Sequence, residues 1–325
     1  MRVCYGILSA STDGKIVTQL VNSLGKNVPI IIHHDFSQQP EFNLSSGSNV
    51  TVIRDYIPTK WGGWSQAEAI LCLLKYADGN ESFDYFQLLS ETCLPVRPIG
   101  EFESFLAQTK PDACIGLIRI LGKANDFGTL NYAWRYLAGD SISQKAIRFL
   151  SRHCMERAER IDVRKRSMVG GLSVVQSAEK CDVPKFPPMH SLLDYLLRIT
   201  SKDHPFNDEF NCFVGSTWFC LSRKVVEQTL QKLNLRLDLV AHYKNTQCPD
   251  ESIVHTLVGN GGFKNIASIN HYLSWKERAN GPDELTMDHF SEIRSSRKFF
   301  ARKFSKSTSN DLRREFIKTC AQTGS

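Results

Sequence analysis

Two apolar, β-rich runs flank a helical pattern at the start of the chain, and this arrangement narrows the fold more than any other feature. The runs cover residues 3–10 and 29–35, and Ile16, Leu20 and Leu24 recur between them at helical spacing. Strand, helix, strand, with both strands apolar throughout, is the pattern of a parallel sheet. Ligands of such sheets bind beyond the carboxyl ends of the strands. His34 and Asp35 fall at one of those ends. No GxGxxG or P-loop glycine pattern accompanies them, which argues against dinucleotide and ATP sites of those kinds.

The alternation continues. Residues 50–53 and 84–90 read as strands, a helix follows Ser65, another covers 99–108, and 113–118 reads as one more strand. Residues 119–205 break the rhythm and predict a helix-rich insertion, with a basic stretch at 143–166 whose apolar face carries Ile147, Leu150 and Ile161. The sheet resumes at 214–223, as a strand with a glycine turn before it and a helix after it. Residues 249–258 read as a helix whose first turn holds Pro249, Asp250 and Glu251. The 325 residues suit one large α/β domain or two smaller ones.

Four places carry chemistry. Lys60-Trp61-Gly62-Gly63-Trp64-Ser65 puts two indoles around a glycine pair just before a helix. Glycines let a ligand approach the backbone and an indole stacks on a base or a sugar, although core aromatics around a tight turn fit equally. Asp250 and Glu251 are either presented acids or helix-capping ones. The tail from 294 to 318 holds nine basic residues against two acidic ones, a local excess larger than the whole chain's +6. Phe299, Phe300 and Phe304 are interleaved with it, so part of the tail must be docked, and a docked basic segment calls for an anion. Finally, the polar strand end at Asp35 completes the set. No DxD pair is present to hold a metal between phosphates, and no GxSxG elbow is present to hold a nucleophilic serine. A sugar-nucleotide transferase is one consistent picture: a carboxylate takes a proton from an acceptor hydroxyl, and lysine or arginine stabilises a diphosphate leaving group.

At this point the chain resembles a known family. Ile31-Ile32-His33-His34-Asp35, Trp61-Gly62-Gly63-Trp64-Ser65, the run from Tyr85 to Pro95, Gly215-Ser216-Thr217-Trp218-Phe219-Cys220-Leu221-Ser222-Arg223, Pro249-Asp250-Glu251 and Phe300-Ala301-Arg302-Lys303-Phe304 occur in one order. That order is similar to the core-2/I-branching N-acetylglucosaminyltransferases and their xylosyltransferase relatives, glycosyltransferase family 14. The resemblance implies a single GT-A-like α/β domain over 1–325, with a mixed, mostly parallel central sheet flanked by helices. It implies an inverting transfer from a UDP-sugar, most readily UDP-N-acetylglucosamine, without a metal or other cofactor. Carried over by position, Glu251 is the general base, Lys303 binds the diphosphate, and Asp35, Trp61 and Gly62 line the uridine pocket. Ser216, Trp218 and Asp250 fall on the sugar side. His271 stands where the family has a diphosphate-binding arginine, and Arg302, Lys276 or Arg278 could compensate. Residues 119–205 would form the acceptor side, and 294–325 would dock on the nucleotide site.

Two alternatives stay open. One keeps the fold and changes the donor to UDP-xylose; the other is a non-catalytic module binding glycans or polyanions through the basic tail. The expected partners are a UDP-sugar, a glycan or lipid-linked glycan acceptor, and an anionic membrane surface, with no nucleic acid. The chain begins in a strand at Met1-Arg2-Val3, and no apolar run approaches the ~20 residues of a membrane span. Its ten cysteines include no CxxC pair and read as reduced core residues. The expectation is a cytoplasmic, bacterial protein, peripheral at the inner face of the membrane.

Overall fold

The computed structural model describes residues 1–10, 14–45, 47–119, 205–207, 209–246, 248–275 and 281–322, with four strands between 155 and 184. In chain order the first half contains β1 (Val3–Ser9), α1 (Lys15–Leu24), β2 (Ile30–His34), β3 (Val50–Val52), α2 (Trp64–Asn80) and β4 (Tyr85–Ser90). Next come β5 (Leu94–Pro95), α3 (Ile99–Thr109), β6 (Ala113–Cys114), β7 (Ile118–Arg119), β8 (Met155–Ala158), β9 (Lys165–Val169), β10 (Leu172–Gln176) and β11 (Cys181–Pro184). The remainder contains β12 (Phe213–Val214), β13 (Cys220–Ser222), α4 (Arg223–Leu235), α5 (Leu237–Tyr243), α6 (Ile253–Gly259), β14 (Ile266–Ala267) and β15 (His271–Leu273). It closes with α7 (Phe290–Ser295), β16 (Phe300–Arg302) and α8 (Asn310–Gln322).

A seven-stranded sheet in the order β14-β6-β13-β4-β1-β2-β3 organises the chain. β4, β1, β2 and β3 are parallel neighbours, β13 runs antiparallel between β4 and β6, and β14 is parallel to β6. This is the α/β architecture with a mixed, mostly parallel sheet. The continuous burial of β1, β2 and β4 explains why their sequences do not alternate between apolar and polar. Helix α2 packs on β1 and β2, and helix α1 buries Val17, Leu20, Val21 and Leu24 in the same core while packing against β5 and α8. Gly14 starts α1 at φ 98°, where an added Cβ would lie 2.4 Å from the Asn43 carbonyl oxygen, so the turn needs glycine.

A second sheet, β15-β16-β5, joins the tail to the body. Phe300 and Phe304 are fully buried, so the aromatic residues do dock the basic segment. Phe304 packs in a smaller core with Leu94, Leu285, Leu312 and Phe316. Arg313 is buried beside it and donates to the Phe304 carbonyl at 2.9 Å, the Ser305 carbonyl at 3.4 Å and Gln19 Oε1 at 3.3 Å. Burial pushes its pKa down to about 10.

Three expectations change. Residues 113–118 are not one strand: the chain leaves the main sheet after Cys114, and β7 pairs instead with β12. The bend at Gly116 brings its carbonyl against Gly215, where a Cβ would lie 2.0 Å from the Gly116 oxygen. Pro249–Glu251 is a separate 3₁₀ turn, divided from α6 by Ser252, so its acids project from a turn. Within 119–205 the described residues form two antiparallel pairs, β9 with β10 and β8 with β11; the rest of the helix-rich expectation lies outside the described residues. No helix among the described residues is long and apolar enough to cross a membrane.

Candidate active site

The strand tips carry polar side chains at the edge where ligands are expected. At the end of β1, Ser9 Oγ donates to Glu91 Oε2 at 2.7 Å and lies 2.9 Å from His34 Nδ1; the Ala10 N–H reaches the same carboxylate oxygen at 3.1 Å. Three parallel strands are thus tied together at their carboxyl ends. Asp35, one residue past β2, is fully buried. Its Oδ2 accepts Thr59 N–H at 2.6 Å, Thr59 Oγ1 at 2.7 Å and Gln38 Nε2 at 2.8 Å; its Oδ1 accepts Ser37 N–H at 3.0 Å and Ser37 Oγ at 2.6 Å. Burial alone would raise its pKa, but the bonds from Ser37, Thr59 and Gln38 outweigh it and hold the carboxyl well below its ordinary range.

Thr59 carries that anchor to the glycine pair. Gly62 takes φ 70° and its N–H donates to Gln66 Oε1 at 2.7 Å, while Trp61 stands 71% exposed beside it. The Gly62 carbonyl accepts the Cys248 N–H at 2.8 Å, so the turn holding Asp250 and Glu251 hangs directly on this loop. The same turn is fixed from the other side. The Gly215 N–H donates to the Glu251 carbonyl at 2.9 Å, and Thr217 Oγ1 donates to Asp250 Oδ2 at 3.1 Å. Beneath it, Ser252 Oγ donates to the Phe213 carbonyl at 2.8 Å, and the Tyr243 hydroxyl lies 2.7 Å from Ser252 Oγ and 2.8 Å from Thr256 Oγ1. The Ser216 carbonyl meets His255 Nε2 at 2.9 Å, and burial pushes that imidazole down to about 4. A neutral imidazole donates there through Nε2–H.

From Thr217 the chain enters Trp218, which is buried, and the Arg302 guanidinium lies 4.3 Å above its ring. The side chains of Arg302 and Lys303 have no hydrogen-bonded or ion-pair partner among the described residues, and Arg302 Nε is buried. The Phe304 N–H donates to the Thr92 carbonyl at 2.9 Å, which sets this pair at the carboxyl end of β4. His271, on β15 beside β16, is buried with Nδ1 2.9 Å from Asn270 Oδ1. Its ring stacks on Phe300 at 5.3 Å, and burial, with help from Arg302 and Lys298, pushes its pKa down to about 3. Asn270 itself donates to Gln87 Oε1 in the middle of β4.

Five distant segments therefore form one series linked by hydrogen bonds, chain and stacking, from Asp35 through Thr59, Gly62, Cys248, Asp250 and Glu251, Gly215 and Thr217, to Trp218 and Arg302. Two of the sequence-expected site residues do not offer a polar surface: His271 is a neutral ring inside the core, and Trp218 lies under a guanidinium. Lys276 and Arg278 lie outside the described residues. Thr59, Ser9 and Glu91 escaped the sequence reading; the signal was position alone, since Ser9 and Glu91 stand at the ends of apolar strands.

The profile of the core-2/I-branching enzymes matches residues 29–120 and 186–296, well over half of the chain. The chain belongs to the core-2/I-branching enzyme family. This is a glycosyltransferase family, and the matched segments contain Asp35, Trp61, Gly62, Ser216, Trp218, Asp250, Glu251 and His271, while Arg302 and Lys303 lie beyond them. The curated relative beta-glucuronosyltransferase GlcAT14B of Arabidopsis thaliana is 32% identical over 100 residues, which are 29% of this chain and 23% of that protein's length. Among solved structures, the core-mannan synthase A of Aspergillus fumigatus is 10% identical at a TM-score of 0.36, covering 86% of this chain and 80% of that one. S. aureus TarS is 15% identical at a TM-score of 0.24, covering 39% of this chain and 22% of that one.

Proposed function

We propose that this core-2/I-branching enzyme transfers a sugar from a UDP-sugar to a glycan hydroxyl with inversion, Glu251 acting as general base. The observation that carries the reading is the fixed turn: Glu251 is held through its backbone from Gly215, and through Cys248 from Gly62, next to the segment whose Trp218 carries Arg302. A base held in place beside a segment that carries a cation suits displacement at an anomeric carbon. Lys303 neutralises the charge developing on the departing diphosphate, the role a divalent ion plays in metal-dependent transferases. Asp35 acts through Thr59 to shape the uridine pocket beside Trp61 and Gly62. Ser216 and Asp250 border the sugar.

The donor is N-acetylglucosaminyl, xylosyl or glucuronosyl. The last enters because the matched relative is a beta-glucuronosyltransferase. These sugars differ in their substituents at C2 and C5 of the ring, and such differences are read by the shape and polarity of the pocket. The test is mass spectrometry of products from a panel of UDP-sugars and oligosaccharide acceptors, with and without EDTA. One donor giving a mass increment that survives chelation supports the reading. No transfer from any UDP-sugar, or transfer abolished by EDTA and restored by a divalent cation, contradicts it.

A further inference from the structure

A single residue joins the turn that carries Glu251 to helix α6. That residue, Ser252, leaves helical geometry at φ −136° and ψ −42°, so the helix does not run on into the turn. The orientation of the turn therefore depends on what holds this joint.

A buried group of hydroxyls drawn from three segments holds it. Ser252 Oγ donates to the carbonyl of Phe213, on β12, at 2.8 Å. The hydroxyl of Tyr243, at the end of α5, lies 2.7 Å from Ser252 Oγ and 2.8 Å from Thr256 Oγ1 of α6. Thr256 Oγ1 in turn accepts the Phe213 N–H at 3.1 Å. Cys212 Sγ borders the group, 3.6 Å from Ser252 Oγ. Tyr243, Ser252, Thr256 and Cys212 are all buried, so a bond lost here is not made good by bulk water.

A hydroxyl has one proton to give. Ser252 gives its proton to Phe213 and can only accept from Tyr243, which makes Tyr243 the donor. Thr256 then donates to the Tyr243 oxygen or, at 3.2 Å, to the Phe213 carbonyl. Burial pushes the pKa of Tyr243 well above its ordinary value, so the phenol keeps the proton that this order needs. Two residues beyond Phe213, the Gly215 N–H holds the Glu251 carbonyl at 2.9 Å. The segment from 213 to 215 thus grips the turn twice, through backbone at Glu251 and through side chains at Ser252. Without the Tyr243 oxygen, Ser252 and Thr256 are left to compete for the one Phe213 carbonyl, and the second grip loosens.

We infer that Tyr243 is a positioning residue of the reaction. Its hydroxyl fixes the joint at Ser252 and so the direction in which the turn presents Glu251, an inference that rests on the proposed role of Glu251 as base. Tyr243 touches neither donor nor acceptor; it acts only through Ser252 and the turn.

Steady-state transfer kinetics of the wild type, Tyr243→Phe, Ser252→Ala, Glu251→Gln and the Tyr243→Phe/Glu251→Gln double variant test this. Tyr243→Phe removes one oxygen and keeps the ring. It should lower kcat about tenfold or more, since a misplacement of about 1 Å can cost about a hundredfold, and leave KM for the UDP-sugar unchanged. Ser252→Ala should move kcat in the same direction. In the Glu251→Gln background, Tyr243→Phe should cost nothing further, because no base is left to orient. Wild-type kcat in folded Tyr243→Phe overturns the inference. So does a loss confined to KM, or a loss repeated in full in the Glu251→Gln background, which is the mark of general loosening. If Tyr243→Phe does not fold, Ser252→Ala takes its place in the cycle. Wild-type turnover by Glu251→Gln overturns the base and the inference together, whereas loss in Glu251→Gln with none in Tyr243→Phe overturns the inference alone.

Discussion

Asp35 and the Arg302–Lys303 pair are charged groups at the same edge of the sheet, and the protein treats them in opposite ways. Asp35 is fully buried and accepts five hydrogen bonds from Ser37, Gln38 and Thr59. The side chains of Arg302 and Lys303 have none among the described residues, and that of Arg302 has only the face of Trp218. A saturated charge holds structure: it ties β2 to the loop that carries Trp61. An unsaturated charge contributes no folding stability in return for its desolvation, and is retained where a ligand completes it.

The contrast can be broken by exchanging the readouts. Asp35→Asn removes the carboxylate but leaves five donors, and its amide group adds donors of its own. It should lower unfolding free energy by about 3 kcal/mol, measured in urea, with a smaller effect on UDP affinity. Lys303→Ala should do the reverse, weakening UDP by roughly 30-fold, about 2 kcal/mol, with little change in the urea midpoint. If Lys303→Ala unfolds the protein and Asp35→Asn does not, the division between structural and ligand-awaiting charge is wrong.

A smaller test uses the buried imidazoles. His255 and His271 are held neutral, pushed down to about 4 and about 3 by burial. In the unfolded chain they titrate near 6.5. As pH falls below about 6.5 the unfolded chain takes up protons that the folded one refuses, so stability falls with pH, by about 1.4 kcal/mol per unit for each group. The loss continues until pH approaches the folded-state values. Urea midpoints across the range from about pH 7 to about pH 5 should decline accordingly; midpoints independent of pH there would mean that both rings reach solvent.

Much of this was legible in the sequence. The apolar runs of β1, β2 and β4 and the spacing of α1 follow from periodicity alone, because a strand covered on both faces has no polar positions to obscure it. Phe300 and Phe304 announced a docked tail, since a solvated basic segment has no use for them. The break at Gly116 was not legible: it depends on the approach of Gly215 from about a hundred residues away, and no local pattern records that. Nor was the saturation of Asp35, which rests on Thr59 across a loop. His271 illustrates the same limit. Its position in the motif order put it where the family has a diphosphate-binding arginine, but the Gln87–Asn270 bond draws it inward, where an imidazole can only be neutral.

The assignment of Glu251 is the centre of the account, and Glu251→Gln tests it most directly. Glutamine keeps the size of the side chain and removes the ability to take a proton. Initial rates of sugar transfer, measured beside UDP titration on the same preparation, should fall by about a thousandfold or more while UDP affinity stays at the wild-type value. Transfer at the wild-type rate by a folded Glu251→Gln protein would contradict the account.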